Sequence, residues 1–316
     1  MTSLDDRAVV ILAGGTGGAK LADGLHRSLA PGALSVIVNT GDDVERHGLL
    51  VMPDHDAVMY LLAGLADQER GWGLVDETWS TIEMLARYGE ETWFRLGDRD
   101  FGTHLARSRR IADGERLTIA CLALQRALGV ATRVLPMSDD PVRTSVRTAD
   151  GWLTFQDYFV RQRQEPTAIG VRFDGADEAT PTPEVLAAIE AASLIVIGPS
   201  NPIVSIAPIL AIGRLREALA QARAAGTRVF AVSPIIGGRA LKGPADRMLA
   251  SLGHDVSAVG VARIYAGLVD LFLLDTVDAD LAPPIERLGM RAASLDTVMD
   301  DEHARARLAG QLLALR

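Results

Sequence analysis

Cysteine is almost missing from this 316-residue chain: Cys121 stands alone. One thiol excludes an intramolecular disulfide framework and any multi-cysteine zinc or iron–sulfur centre. A single free cysteine reads as a small core residue. Lysine is nearly as scarce, with Lys20 and Lys242 the only two, so basic charge is carried by arginine. Basic residues are outnumbered, 32 against 41 acidic, for a formal net charge of −9. That balance argues against a nucleic-acid-binding protein with a broad basic face. It leaves room for a phosphorylated ligand, because a few arginines and a metal ion neutralise a local site. Long apolar runs are also absent. The run after the acidic start, Met1 to Arg7, stops at Gly14, too short for a membrane span or a signal peptide. A soluble, cytoplasmic protein is expected.

What is present fits a folded chain: 48% hydrophobic residues, 30 glycines, 14 prolines and a mean hydropathy of +0.16. Short apolar runs alternate with helical patterns, which predicts an α/β fold, Rossmann-like and doubly wound on a mostly parallel sheet. The predicted strands are Ala8–Ala13, Ser35–Asn39, Thr132–Leu135, Leu194–Ile197, Arg228–Val232 and Val269–Leu274. A first helix is expected from about Ala19 to Leu29. The stretch from about 56 to 129 has helical apolar spacing (Val58, Leu61, Leu62, Leu65, Ile82, Leu85) and reads as a helical insertion. Alternation over Val142–Phe155 with the turn Ala149-Asp150-Gly151 predicts a small antiparallel excursion. Pro166–Pro183 reads as irregular. With neither repeat nor linker, residues 1–316 are expected to form one domain.

Chemistry concentrates in a few turns. Gly14-Gly15-Thr16-Gly17-Gly18 sits between the first strand and the first helix, where a phosphate would meet a helix N-terminus. Lys20 breaks both the Walker A ending and the third glycine of G-x-G-x-x-G. The run is either a phosphate cradle or a plain tight turn. Asn39-Thr40-Gly41-Asp42-Asp43 and Met52-Pro53-Asp54-His55-Asp56 carry clustered carboxylates suited to Mg²⁺ rather than zinc. Asp54 or Asp56 could instead cap a helix beginning near Ala57. His47 and His55 read as neighbours of the acids rather than ligands. Trp93 to Asp100 mixes aromatic, basic and acidic groups, fit for stacking on a planar ring or for a surface ion-pair cluster. Gly198-Pro199-Ser200-Asn201-Pro202 and Ser233-Pro234-Ile235-Ile236-Gly237-Gly238 each follow a predicted strand, and their recurrence favours a binding role.

The ordered set GGTGGAKL, NTGDD, PDHDAVMY, RGWG, LGDRDFGTHL, LPMSDDPVRT, FQDYFV, GPSNPIVSI and SPIIGG resembles the phospholactate and phosphoenolpyruvate transferases of coenzyme F-420 biosynthesis, from about Val9 to Leu315. The resemblance implies transfer of a phospho-acid (2-phospholactyl, phosphoenolpyruvyl or 3-phosphoglyceryl) from its GDP-activated form to the ribityl hydroxyl of the deazaflavin Fo. GMP is released, and the enzyme is expected to be a homodimer. It further implies Mg²⁺ on Asp43 and Asp54, with Asp56 completing the catalytic set. Fo contacts would fall to Asp56, Arg95 and Asp98. Nucleotide contacts would fall to Gly14, Gly15, Thr16, Gly17, Gly18, Ser200, Asn201, Ser205, Ser233, Ile236 and Gly237. Trp72 and Trp93 are candidates to cover the deazaflavin ring or to anchor the core. A dinucleotide-dependent oxidoreductase is disfavoured, because Asn39 closes the second strand where an acidic ribose ligand is expected. A nucleotide-sugar-binding regulator of the gluconeogenesis-factor type is the other alternative, disfavoured by PDHDAVMY and LGDRDFGTHL.

Overall fold

The computed structural model describes residues 7–316, so the acidic segment Met1–Asp6 lies outside the described residues. The chain opens with β1 (Val9–Ala13), α1 (Gly15–Ser28) and β2 (Leu34–Val38). A hairpin of β3 (Val44–Arg46) and β4 (Leu49–Val51) leads into helices α2 (Pro53–Leu62), α3 (Ser80–Arg87), α4 (Asp98–Ala112) and α5 (Leu117–Ala127). Then come β5 (Arg133–Pro136), β6 (Arg143–Thr148), β7 (Gly151–Thr154), β8 (Gly170–Asp174), α6 (Pro183–Ala191) and β9 (Leu194–Ile197). Helices α7 (Ala207–Ala211) and α8 (Gly213–Ala224) precede β10 (Arg228–Val232) and the two-residue strands β11 (Ile235–Ile236) and β12 (Arg239–Ala240). The chain closes through α9 (Ala245–Ser251), α10 (Ala258–Ile264), β13 (Leu271–Asp275), α11 (Ala282–Glu286), β14 (Arg291–Leu295) and α12 (Glu302–Ala314).

The central sheet has seven strands in the order β14-β13-β10-β9-β1-β2-β5. Every pairing in it is parallel. Apart from the edge strand β14 and the exposed Arg133 and Arg228, its strands are buried on both faces, as parallel strands under crossover helices must be. The two-residue period of a strand sorts their side chains. Val10, Leu12, Ile195 and Ile197 face one core with Val185, Ile189, Leu215 and Val261. Val9, Ile11, Val196 and Phe230 face the other with Leu21, Leu25, Leu308 and Leu312. Cys121 is buried, its Sγ 3.8 Å from Met52 Sδ.

Strand order reverses between β1 and β9, since β2 and β5 lie on one side of β1 and the later strands on the other. In a doubly wound sheet the crevice outside the strand C-termini at that reversal is where ligands bind. The predicted excursion exists as the antiparallel sheet β7-β6-β8. Its third strand, β8, falls inside the stretch expected to be irregular. Sequence periodicity also misses the β3–β4 hairpin and β14, whose residues Arg-Ala-Ala-Ser-Leu form a weakly apolar, half-exposed edge. Helix α1 begins at Gly15 rather than near Ala19. Glycine is a poor helix former, but here packing overrides propensity, as the contacts of Gly17 and Gly18 show below.

Candidate functional site

The glycine turn lies at the strand-order reversal and is packed against the chain's own loops. Gly14 N–H donates to Ser200 Oγ at 3.2 Å, joining the ends of β1 and β9. A Cβ on Gly14 would stand 2.6 Å from Asp54 Oδ2 and 2.7 Å from Ser205 Cβ. One on Gly17 would overlap the Pro199 carbonyl oxygen, and one on Gly18 would stand 2.5 Å from Ser200 Oγ. Three of the glycines are therefore needed to seat the β9 loop against the helix. Gly15 differs: its φ is +62° and a Cβ there meets nothing within 4 Å. The open space of the turn is above Gly15 and the half-buried Thr16.

Asp54 does not cap its own helix. It stands in the first turn of α2, and its Oδ1 accepts the Gly15 N–H at 2.6 Å, so it closes the N-terminus of α1. A carboxylate is favoured there by the helix dipole. Its Oδ2 accepts from Asn39 Nδ2 at 3.0 Å, and the same amide donates to Asp42 Oδ1 at 3.0 Å. Asp42 and Asp43 follow β2 and are both buried. Burial raises the pKa of Asp42 well above the carboxylate range, the charge of Asp54 adds to it, and the Asn39 hydrogen bond opposes it. Burial likewise raises Asp43, against the pull of Arg143 and Arg107. Burial raises Asp54 too, against the Asn39 and Gly15 donors.

This donor set fits a hard divalent cation. Its oxygens come from carboxylates, with no thiolate or imidazole required. Asp43 Oδ1 is buried and has no hydrogen-bond partner among the described residues. Asp42 and Asp54, joined by a neutral amide, are short of positive charge, which is what a bound cation supplies.

Asp56, two residues on, is the opposite case. Its Oδ1 and Oδ2 are clamped by Arg107 Nη2 and Nη1, the latter at 3.1 Å, and Arg107 is fully buried. His55 Nδ1 lies 3.2 Å from Oδ1 and His104 Nδ1 3.6 Å from Oδ2. His104 Nε2 in turn lies 3.2 Å from Asp100 Oδ1, which accepts the Tyr60 hydroxyl at 2.7 Å. Burial pushes Asp56 up, but Arg107, His55 and His104 together outweigh it and leave the pKa below the usual value. Among the described residues Asp56, Asp100 and His104 bring ligand atoms within 4.8 Å of one another. A cation there would face the fixed charge of Arg107, so this group is a closed ion-pair network. Asp56 thus carries its own counter-charge and is a poor proton acceptor.

Arg95 and Asp98 sit on the helical insertion. The exposed Arg95 guanidinium stacks 4.4 Å from the Trp79 ring centroid, and Arg70 lies 5.1 Å from the centroids of both Trp72 and Trp79. Trp93 is stacked under Arg46 at 4.0 Å. Asp98 accepts from the Thr78 hydroxyl and from the N–H groups of Thr81 and Ser80, which lowers its pKa to about 2. It caps the start of α3. In the late loops Asn201 Oδ1 accepts from Ile203 N–H at 2.9 Å, and Ser233 Oγ donates to the Ile235 carbonyl at 2.8 Å. Gly237 N–H donates to Asp278 Oδ2 at 2.9 Å, beside Ile236 in the β11–β12 hairpin.

Contacts therefore unite Gly14, Gly15, Asp54, Ser200 and Ser205 directly. Asp56 joins a separate network, while Arg95 and Asp98 are engaged on the insertion. Sequence reasoning assigns no role to Asn39 or Arg107 and places Asp42 only within the acidic set. The helical spacing of Asp100, His104 and Arg107 on one face of α4 was the available signal for the last.

A family model described as 2-phospho-L-lactate transferase CofD matches residues 9–308. A 2-phospho-L-lactate transferase of Methanosarcina mazei is 42% identical over 291 residues, 92% of this chain and 94% of the relative. A phosphoenolpyruvate transferase of Streptomyces griseus is 44% identical over 313 residues, 97% of this chain and 98% of the relative. Among solved structures, a member of the UPF0052 family from Bacillus halodurans superposes with a TM-score of 0.63 at 19% identity, covering 98% of this chain and 100% of that one. That last likeness concerns the fold alone.

Proposed function

Because the chain belongs to the 2-phospho-L-lactate transferase CofD family, we propose that it transfers a phospho-acid moiety from its GDP-activated form to the ribityl hydroxyl of Fo, releasing GMP. The observation that carries this reading is the meeting of the first turn of α1, with open space above Gly15, and buried carboxylates at the reversal of strand order. An activated diphosphate needs both at one place.

In this reading the first turn of α1, with the N–H groups from Thr16 to Gly18 and the helix dipole, receives the diphosphate. Ser200, Asn201, Ser205, Ser233, Ile236 and Gly237 line the guanosine side. Asp43 and Asp54 hold Mg²⁺, which when bound neutralises diphosphate charge and stabilises the departing GMP. Arg95 and Asp98, with Trp72 and Trp93 nearby in sequence, form the Fo side. Asp56, fixed by Arg107, orients the acceptor hydroxyl rather than taking its proton. The hydroxyl oxygen forms a bond to phosphorus as the bond to the GMP oxygen breaks, and the hydroxyl proton leaves to solvent. Such a transfer demands positioning and charge neutralisation more than covalent catalysis. Among the described residues no helix is long and apolar enough to cross a membrane. We place the protein in the cytoplasm as a homodimer acting on small molecules without nucleic acid.

The test is incubation with Fo, Mg²⁺ and, separately, GDP-activated 2-phospholactate, phosphoenolpyruvate and 3-phosphoglycerate, followed by mass analysis. A phosphodiester of Fo with stoichiometric GMP is expected from one of the three. No adduct from any donor overturns the reading.

A further inference from the structure

Asn39, at the end of β2, has no task in the reaction just described, yet it is fully buried between two of the acids. Its Oδ1 accepts the Gly41 N–H at 2.7 Å, which sets the amide so that Nδ2 faces the carboxylates. Nδ2 lies 3.0 Å from Asp42 Oδ1, 3.0 Å from Asp54 Oδ2 and 3.3 Å from the Val204 carbonyl. The Asn39 backbone N–H donates to the Ala13 carbonyl at 3.2 Å, tying this residue to the end of β1. A Cβ at position 41 would stand 2.9 Å from Asn39 Oδ1, so glycine there lets the turn close on the amide.

An amide nitrogen has two hydrogens and no charge. It can bridge two carboxylates from different elements, the β2 turn and α2, without filling the place of a cation. An aspartate here would add another negative charge. An apolar side chain would leave both acids without their common donor. Metal sites depend on such outer partners to orient the ligating groups.

We propose that Asn39 is the positioning residue of the cation site, and that its bridge brings Asp42 into the carboxylate set with Asp43 and Asp54. The inference rests on the transferase reading and assigns two residues that reading leaves unassigned.

The test uses Mn²⁺ as the probe. Free Mn²⁺ is followed by electron paramagnetic resonance with the full chain, with and without GDP. The unaltered protein, Asn39→Leu, Asn39→Ser and Asp42→Asn are compared, each with a thermal melt to confirm folding. The expected result is a Mn²⁺ affinity lower by about 10- to 100-fold in folded Asn39 variants, and lower in Asp42→Asn. A merely structural role for Asn39 would lower Tm and leave Mn²⁺ affinity intact, which overturns the proposal. Unchanged affinity in Asp42→Asn overturns the part assigned to Asp42. If the unaltered chain takes up no Mn²⁺ even with GDP, the cation in the proposed reaction falls, and this inference with it.

Discussion

Two buried acidic regions lie side by side in this molecule and are built on opposite principles. Asp42 and Asp54 share one neutral amide, Asp43 adjoins Asp42 in the chain, and burial raises the pKa of each. Asp56 and Asp100, equally buried, meet a guanidinium, two imidazoles and a phenol. Asp54 and Asp56 are two residues apart on one helix, so neither residue type nor burial explains the difference. The source of positive charge does. Where the chain supplies its own counter-ion the acids become a strut between α2 and α4. Where it supplies only an amide, to Asp42 and Asp54, the acids keep raised pKa values.

The harshest way to break the comparison is to remove the internal counter-ion. Arg107→Met leaves Asp56 charged and unpaired in the interior, and a loss of about 3–5 kcal/mol is expected by chemical denaturation. The same stability in the variant would mean that Asp56 is not held by this pair. The next effect falls on the other region. Asp54→Asn should cost about two orders of magnitude or more in kcat/KM, the scale of a lost preorganised electrostatic contact. Full activity in the variant would reverse the assignment of the two regions.

Proton linkage sharpens the contrast. Raised carboxylate pKa values mean that the folded state binds more protons than the unfolded one above about pH 4. The contribution of Asp42, Asp43 and Asp54 to stability thus declines as pH rises from their ordinary 3.8 through their higher folded values. Asp56 works the other way: its depressed pKa gives stability that is full above 3.8 and lost as pH falls through the folded value. Melting curves between pH 4 and 8 should therefore show Tm falling toward high pH without divalent cation, and a flatter profile with Mg²⁺. An identical slope in both conditions would count against the cation-poor region. The smallest effect is expected outside both regions. Asp98→Ala removes the acceptor for Ser80 and Thr81 N–H and should lower stability by about 1 kcal/mol, with Mn²⁺ affinity unchanged.

Much of the architecture is legible in the sequence. The apolar runs at Val9, Leu194 and Arg228 are strands because both faces are buried, and continuous hydrophobicity announces that. Edge strand β14 and the exposed β8 carry no such run, so they went unseen. Helix α1 was set four residues late, since glycine propensity points away from a helix and only the fit of Gly17 and Gly18 to the β9 loop shows why one starts there. Within the site, residue type marked the acids but not their sorting. Which acid meets Arg107, from α4, and which share Asn39, from β2, is decided by long-range packing that spacing along the chain does not encode.

The helical insertion leaves the sheet after β2 and returns at β5, the outermost strand on that side. Its entry and exit therefore flank a single rim position of the ladder, and no inner hydrogen-bond row has to open when its outer helices change. Like an interchangeable tool head on a fixed handle, the part that carries Arg95, Trp72, Trp79 and Trp93 can change without opening the ladder that holds the glycine turn.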